Sequence, residues 1–155
     1  RILNILYLVQ QGLLDLPILY LSQYIIKNKS KYYQLLQSVR DDNNWDEWVI
    51  YLINGVELTA KDSIKRITNI RNSMQETKQY LRKNHPKTYS QDLLNNIYRH
   101  PYTKINLIAD DLQVHSNTAR TYLTVLVDAG VLREHKIGRG LYFINTQLIS
   151  ILAQS

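Results

Sequence analysis

The apolar residues change period once, and late in the chain. Up to Gly130 they recur every three or four positions; after it they alternate. A chain with that switch folds mainly as helices and closes on a short strand pair. The last helices can be placed one by one. Ser90 caps a helix holding Leu93, Leu94, Ile97 and Tyr98, and Pro101 breaks it. Thr103 is read as the cap of Ile105–Leu112, with Ile105, Ile108, Ala109 and Leu112 facing inward. His115 or Ser116 opens a third helix carrying Ala119, Tyr122, Leu123, Leu126 and Val127, which ends at Gly130. Val131–Lys136 and Leu141–Asn145 read as strands joined through Ile137-Gly138-Arg139-Gly140, and 146–153 as a short closing helix.

Three helices followed by a hairpin is the order of a winged helix-turn-helix. The stretch Ile108-Ala109-x-x-Leu112-x-Val114-x-x-x-Thr118-Ala119-Arg120-x-x-Leu123 fits that motif. Ala109 is small, so the second and third helices can cross closely. Val114 plugs the turn, and Ala119 and Leu123 anchor the third helix. Ser116, Asn117, Arg120, Thr121 and Thr124 then fall on the outward face, where they can meet phosphates and base edges in a major groove. Lys136 and Arg139 belong to the wing, where a cation can contact the backbone of DNA. The same fold also serves as a dimerisation or docking module, and Asp110, Asp111 and Asp128 on its own helices weigh toward that use.

The first half is helical throughout. Ile2, Leu3, Leu6, Tyr7, Val9 and Leu13 follow helical spacing, and Gly12–Asp15 reads as a helix end and a turn. A second helix is predicted from Pro17 to Asn28, and a third, capped by Ser30, carries Tyr32, Tyr33, Leu35, Leu36 and Val39. Asp41-Asp42-Asn43-Asn44 is a polar break, and Asp46 suits the cap of a helix that runs from Trp45 to Leu58 and is apolar on most sides. From Thr59 to Asn84 the stripe narrows to Ile64, Ile67, Ile70, Met74, Tyr80 and Leu81, as in an exposed helix or one that packs on a partner chain. His85-Pro86 ends it. Thus 1–60 is read as one helical domain, 61–85 as a connecting helix and 86–155 as the winged helix.

Composition excludes several classes. With no cysteine among 155 residues there is no disulfide framework, no cysteine-ligated zinc and no thiol nucleophile, which suits the reducing cytoplasm. The four histidines (85, 100, 115, 135) share no ligand spacing, so no metal site is expected. The apolar start is interrupted by Asn4, Gln10, Gln11, Gly12, Asp15 and Pro17, so no membrane association is expected. Net charge is +6, with seven basic residues between Lys61 and Lys83 against Asp62 and Glu76; a solvated helix face accounts for such a run as well as nucleic acid does. Asp41, Asp42, Asp46 and Glu47 suit turn and cap roles rather than acid–base chemistry. The sequence begins Arg1-Ile2-Leu3 and holds only Met74, so it is expected to be a processed product or a fragment.

The first half also resembles a family. Arg1-Ile2-Leu3-Asn4-Ile5-Leu6 through Gly12-Leu13-Leu14 is similar to the segment that follows the signature of Fic-domain proteins, His-x-Phe-x-(Asp/Glu)-Gly-Asn-(Gly/Lys)-Arg-x-x-Arg. Leu16-Pro17-Ile18-Leu19-Tyr20-Leu21-Ser22, Tyr32-Tyr33-x-Leu35-Leu36-x-x-Val39, Trp45-x-x-Trp48 and Gly55-Val56-Glu57-x-Thr59-Ala60 resemble the helices after that signature in order and spacing. Many bacterial members also end in a long connecting helix and a winged helix. The resemblance implies a mainly α chain: a helical Fic-domain remnant, a connecting helix, then the winged helix-turn-helix with its small hairpin.

It also implies an activity for the intact parent: transfer of AMP from ATP, with Mg²⁺, to a hydroxyl of a target protein. In the family the signature His is the general base and the Gly-Asn-Gly loop cradles phosphates. Neither occurs in these residues, nor does the inhibitory pattern (Ser/Thr)-x-x-x-Glu-(Gly/Asn), so this chain by itself is expected to be inactive and to need no cofactor. Arg1 matches the last signature Arg, which contacts nucleotide phosphate in the family; Tyr32 and Tyr33 match the adenine pocket, and Asn4 a nearby polar contact, with core packing as the other reading of the two tyrosines. The rival reading is a DNA-binding regulator whose helical half mediates dimerisation. Expected partners are therefore DNA, the protein target of the parent and a second copy.

Overall fold

A computed structural model of the chain describes residues 2–15 and 21–153. It divides into two compact units, 1–65 and 66–155.

The first unit comprises α1 (Ile2–Gln10), α2 (Leu21–Lys27), α3 (Lys29–Asp42) and the first half of α4 (Trp45–Asn84). Among its described residues, Leu21, Ile25, Leu35 and Tyr51 are the buried apolar ones. Around them sits an aromatic cluster: the Tyr32 ring lies 5.0 Å from Trp48 and 6.4 Å from Tyr51, and Tyr24 lies 5.1 Å from Tyr51. Burial and the neighbouring Tyr24 and Tyr32 push the Tyr51 phenol above its usual range. α2 closes on α4 at Gly55, where an added Cβ would come within 2.6 Å of the Tyr24 ring. Thr59, one turn further on, satisfies its hydroxyl by donating to the Gly55 carbonyl at 2.6 Å. The segment from Leu16 to Tyr20, including the predicted helix start at Pro17, lies outside the described residues.

Two expected caps in this half take other forms. Ser30 does not cap α3: Asn28 occupies that position, and its amide turns back to donate to the Tyr24 carbonyl at 2.9 Å. Asp46 sits inside the first turn of α4, where its charge still suits the helix dipole. The chain enters α4 through Asn43 in the left-handed conformation (φ 56°), whose carbonyl side-chain oxygen accepts from the Trp45 indole at 2.9 Å.

The largest departure from the sequence reading is α4 itself. It is one helix of 40 residues, not two. Its second half is not an exposed face either. Ser73, Thr77 and Leu81 are buried. The Tyr98 hydroxyl bonds both Ser73 (2.8 Å) and Thr77 (2.9 Å), and Ser73 donates to Gln147 at 2.9 Å. A polar stripe does the packing there, so apolar periodicity under-reports it.

The second unit adds α5 (Gln91–Arg99), β1 (Tyr102–Thr103), α6 (Ile105–Leu112), α7 (Ser116–Asp128), β2 (Arg133–Ile137), β3 (Gly140–Ile144) and α8 (Thr146–Ala153). Its core joins Leu81, Leu93, Leu94, Ile97, Ile108, Ala119, Leu123, Leu126, Leu132 and Phe143. Nearly every apolar residue assigned to this core from spacing is in it or packed on it, including Ala109 and Val114. Ser90 caps α5 as predicted, its hydroxyl accepting from Leu93 N–H at 3.1 Å. Between α6 and α7 the chain turns through Gln113 in the left-handed conformation (φ 53°), and the Val114 amide reaches back to the Ala109 carbonyl at 3.0 Å.

β2 and β3 pair antiparallel from Arg133↔Ile144 to Ile137↔Gly140. Gly138 (φ 56°) supplies the positive φ that a two-residue hairpin turn requires. β1, which alternation did not reveal, pairs on the other side of β3, giving a three-stranded sheet in the order β1-β3-β2. Thr103 therefore does not cap α6. It lies in β1 and donates to the buried Asn96 at 3.0 Å, while Lys104 takes the cap position with no side-chain bond to the helix. Asn145 ties the sheet to two helices: its amide donates to the Ile97 carbonyl at 3.1 Å and its oxygen caps Leu148 N–H at 3.0 Å. No helix among the described residues is long and apolar enough to cross a membrane.

Candidate nucleic-acid interface and nucleotide residues

α7 is amphipathic in the way its spacing predicts. Ala119, Leu123 and Leu126 point into the core, and Ser116, Asn117, Arg120, Thr121 and Thr124 are all exposed on one opposite face. The face begins at a defined helix start. His115 is the cap residue, its Nδ1 accepting from Asn117 N–H at 3.2 Å. Thr121 and Thr124 donate their hydroxyl protons to the carbonyls of Asn117 and Arg120, each at 3.0 Å. Toward a ligand those hydroxyls can act as acceptors, so Arg120, Asn117 and Ser116 are the donors on this helix.

Lys136 lies on β2 and Arg139 on the hairpin turn, both exposed. Every residue of β2 is exposed, which adds the Arg133 guanidinium and the His135 imidazole to what the strand presents, with Glu134 between them. Sequence spacing does not single these two out. Lys104 was missed too. Its ammonium stands 4.4 Å above the centre of the Tyr142 ring, itself in edge contact with the exposed Tyr102. The sum of charges supports a basic unit. Residues 66–155 carry 12 Lys/Arg against 6 Asp/Glu, net +6, whereas residues 1–65 carry seven of each.

The residues assigned to a nucleotide behave differently from one another. Tyr32 is half-buried among Tyr33, Trp48 and Tyr51, so its ring serves the aromatic cluster. Tyr33 is 53% exposed, with its ring edge-on to Tyr32 at 5.3 Å, and retains a face for stacking. Arg1 and the side chain of Asn4 lie outside the described residues. Among the described residues no three His, Asp or Glu side chains come together to hold a metal ion.

Residues 73–148 match a family model described as the C-terminal domain of SoFic-like protein adenylyltransferases. The matched segment starts at Ser73, which bonds Tyr98 of α5 and Gln147 of α8, and ends at Leu148, so it spans the whole core of the second unit. The second unit therefore resembles the C-terminal domain of the SoFic-like members of the Fic family.

Proposed function

We propose that the chain serves a protein adenylyltransferase that moves AMP from ATP, with Mg²⁺, onto a hydroxyl of another protein. Its share of that work is scaffold and partner recognition. The observation that carries the reading is the family match over 73–148, joined to the resemblance of the first-half helices to those after a Fic signature. The general base and phosphate loop of the signature have no counterpart in these residues, so the chemistry belongs to a polypeptide that includes that signature. Incubation with labelled ATP, Mg²⁺ and candidate targets tests this. The 155-residue chain is expected to transfer no label, and a protein with His-x-Phe…Gly-Asn-Gly-Arg joined ahead of Arg1 is expected to transfer it. Labelling by the chain by itself would overturn the division of labour.

A second reading concerns the second unit. The exposed donors of α7 and the basic residues of β2 and its turn favour double-stranded DNA as a ligand, with α7 in the major groove and the hairpin on the phosphates, although residues 86–155 by themselves carry only net +2. A gel shift that weakens steeply with salt supports it, and Arg120→Ala should weaken the complex by about tenfold. A chain that retards no duplex at low salt would leave this face to a protein ligand.

A further inference from the structure

The three-stranded sheet has one face that the core does not use. Phe143 and its neighbour Thr103 are buried on the inner face. The register therefore sends Tyr102, Ile144 and Arg133, then Tyr142 and His135, then Gly140 and Ile137 to the opposite, outer face. None of these seven belongs to the core of the second unit or to the residues packed on it. Tyr102 is 50% exposed and Ile137 59%. Alternation also sorts the charges. Glu134 opposes Phe143 and Lys136 opposes Leu141, so both leave the outer face. That face keeps Arg133 and His135 and receives no carboxylate from any of the three strands.

Rings and cations on this face identify the occupant. Tyr142 lies down along its own strand: an added Cβ at Gly140 would come within 2.9 Å of its Cε2. Lys104, directly after β1, holds its ammonium 4.4 Å above the centre of that ring. Tyr142 is thus engaged by Lys104, and Tyr102, edge-on to it at 5.6 Å, is the ring that stays open. Among the described residues neither Lys104 nor Arg133 is paired with a carboxylate. Unpaired cations around an open aromatic ring match a ligand in which phosphates alternate with flat rings. That ligand is a nucleic-acid strand. A duplex keeps its base faces inside the stack, so only a single strand offers them to Tyr102. An acidic peptide meets the cations but brings nothing for the ring.

We propose that the outer face of this sheet binds single-stranded nucleic acid, with a base stacked on Tyr102 and the flanking phosphates on Lys104 and Arg133. The site is separate from the outward face of α7 and does not rest on the duplex reading. Fluorescence anisotropy of the 155-residue chain with a labelled oligothymidylate of about twelve residues tests it. A dissociation constant of about 1–100 µM is expected at low salt. Tyr102→Ala should weaken binding about tenfold, and Tyr102→Phe should keep it within about twofold. Lys104→Ala should reduce the slope of log affinity against log salt by about 0.7. An abasic strand of equal length carries the phosphates without the rings and should bind about tenfold more weakly. Oligouridylate in the same assay identifies the sugar, the tighter strand being the ligand class. Tyr102→Ala should retain whatever duplex retardation the unmodified chain shows, so the two readings fail separately. If Tyr102→Ala alters the circular dichroism, the Lys104→Ala and abasic arms decide. Equal affinity for the abasic strand, or no effect of Tyr102→Ala, overturns the proposal. Equal displacement by a polyglutamate peptide also overturns it and assigns the face to an acidic peptide.

Discussion

The two units solve the problem of a core in opposite ways. Among the described residues, the second buries eleven apolar ones, Leu81 to Leu148, and ties its sheet to its helices through Asn145. The first buries four, among the described residues, and leaves large apolar side chains such as Leu3, Leu13, Ile26, Ile53 and Ile64 mostly exposed. The charges divide as well: the first unit is neutral and the second carries the net +6. A dense core with a cationic surface suits a domain that folds around itself and binds an anion. A thin aromatic core under an apolar surface suits one that gains stability by being covered.

That contrast can be broken by mutation. Leu94→Ala or Ile108→Ala, both fully buried, should cost about 2–5 kcal/mol in urea unfolding. The same truncation at Ile53 or Leu58 should cost under about 0.5 kcal/mol in a monomeric chain; equal costs would mean that the first unit is packed better than its exposure indicates. Next in size is Gly55→Ala, whose methyl would push the Tyr24 ring off Tyr51. About 1–3 kcal/mol is expected, read as early melting of the fluorescence of Trp45 and Trp48, both in the first unit, while the second unfolds later. Asn145→Ala should cost about 1–3 kcal/mol in the second unit, because the Ile97 carbonyl stays buried without its donor and α8 loses its cap.

Tyr98→Phe, which leaves Ser73 and Thr77 without their shared partner, should cost about 1 kcal/mol, measured by the same denaturation. The smallest effects are in pH. Lys61 beside Glu57 holds that exposed carboxyl below its usual range. A lowered folded value stabilises above the unfolded pKa of about 4.3 and is lost as pH falls through the folded one. Glu57→Gln should therefore flatten the acid limb slightly, and only at low salt. The raised phenol of Tyr51 works the other way: its contribution is present below about pH 10 and disappears as pH rises further, so alkali should loosen the first unit before the second.

Legibility in the sequence followed what each face buries. α5, α6 and α7 were readable because Leu93, Leu94, Ile97, Ile108, Leu123 and Leu126 are apolar at helical spacing and all point inward. The second half of α4 was read as exposed because its buried side includes Ser73 and Thr77, which look solvated until the Tyr98 hydroxyl is set between them. Ser30 and Thr103 had the chemistry of caps but not the place. Asn28 and Lys104 stand at those helix starts, and Thr103 is spent on Asn96. Of the candidate site, the outward face of α7 was legible from period alone, whereas Lys104, Arg133 and His135 were not. Their exposure depends on a two-residue strand and on an edge strand with no inward face, and neither leaves a pattern in the residues.

The edge strand has a consequence of its own. All five side chains of β2 face solvent, and it is held to the domain by its ladder to β3, whose Phe143 enters the core. The packing therefore places no demand on what β2 is made of. Its charge, and even the length of its turn beyond Gly138, can be rewritten without repacking anything, which makes this strand the part of the domain most open to evolutionary retuning or to engineering of what the domain grips.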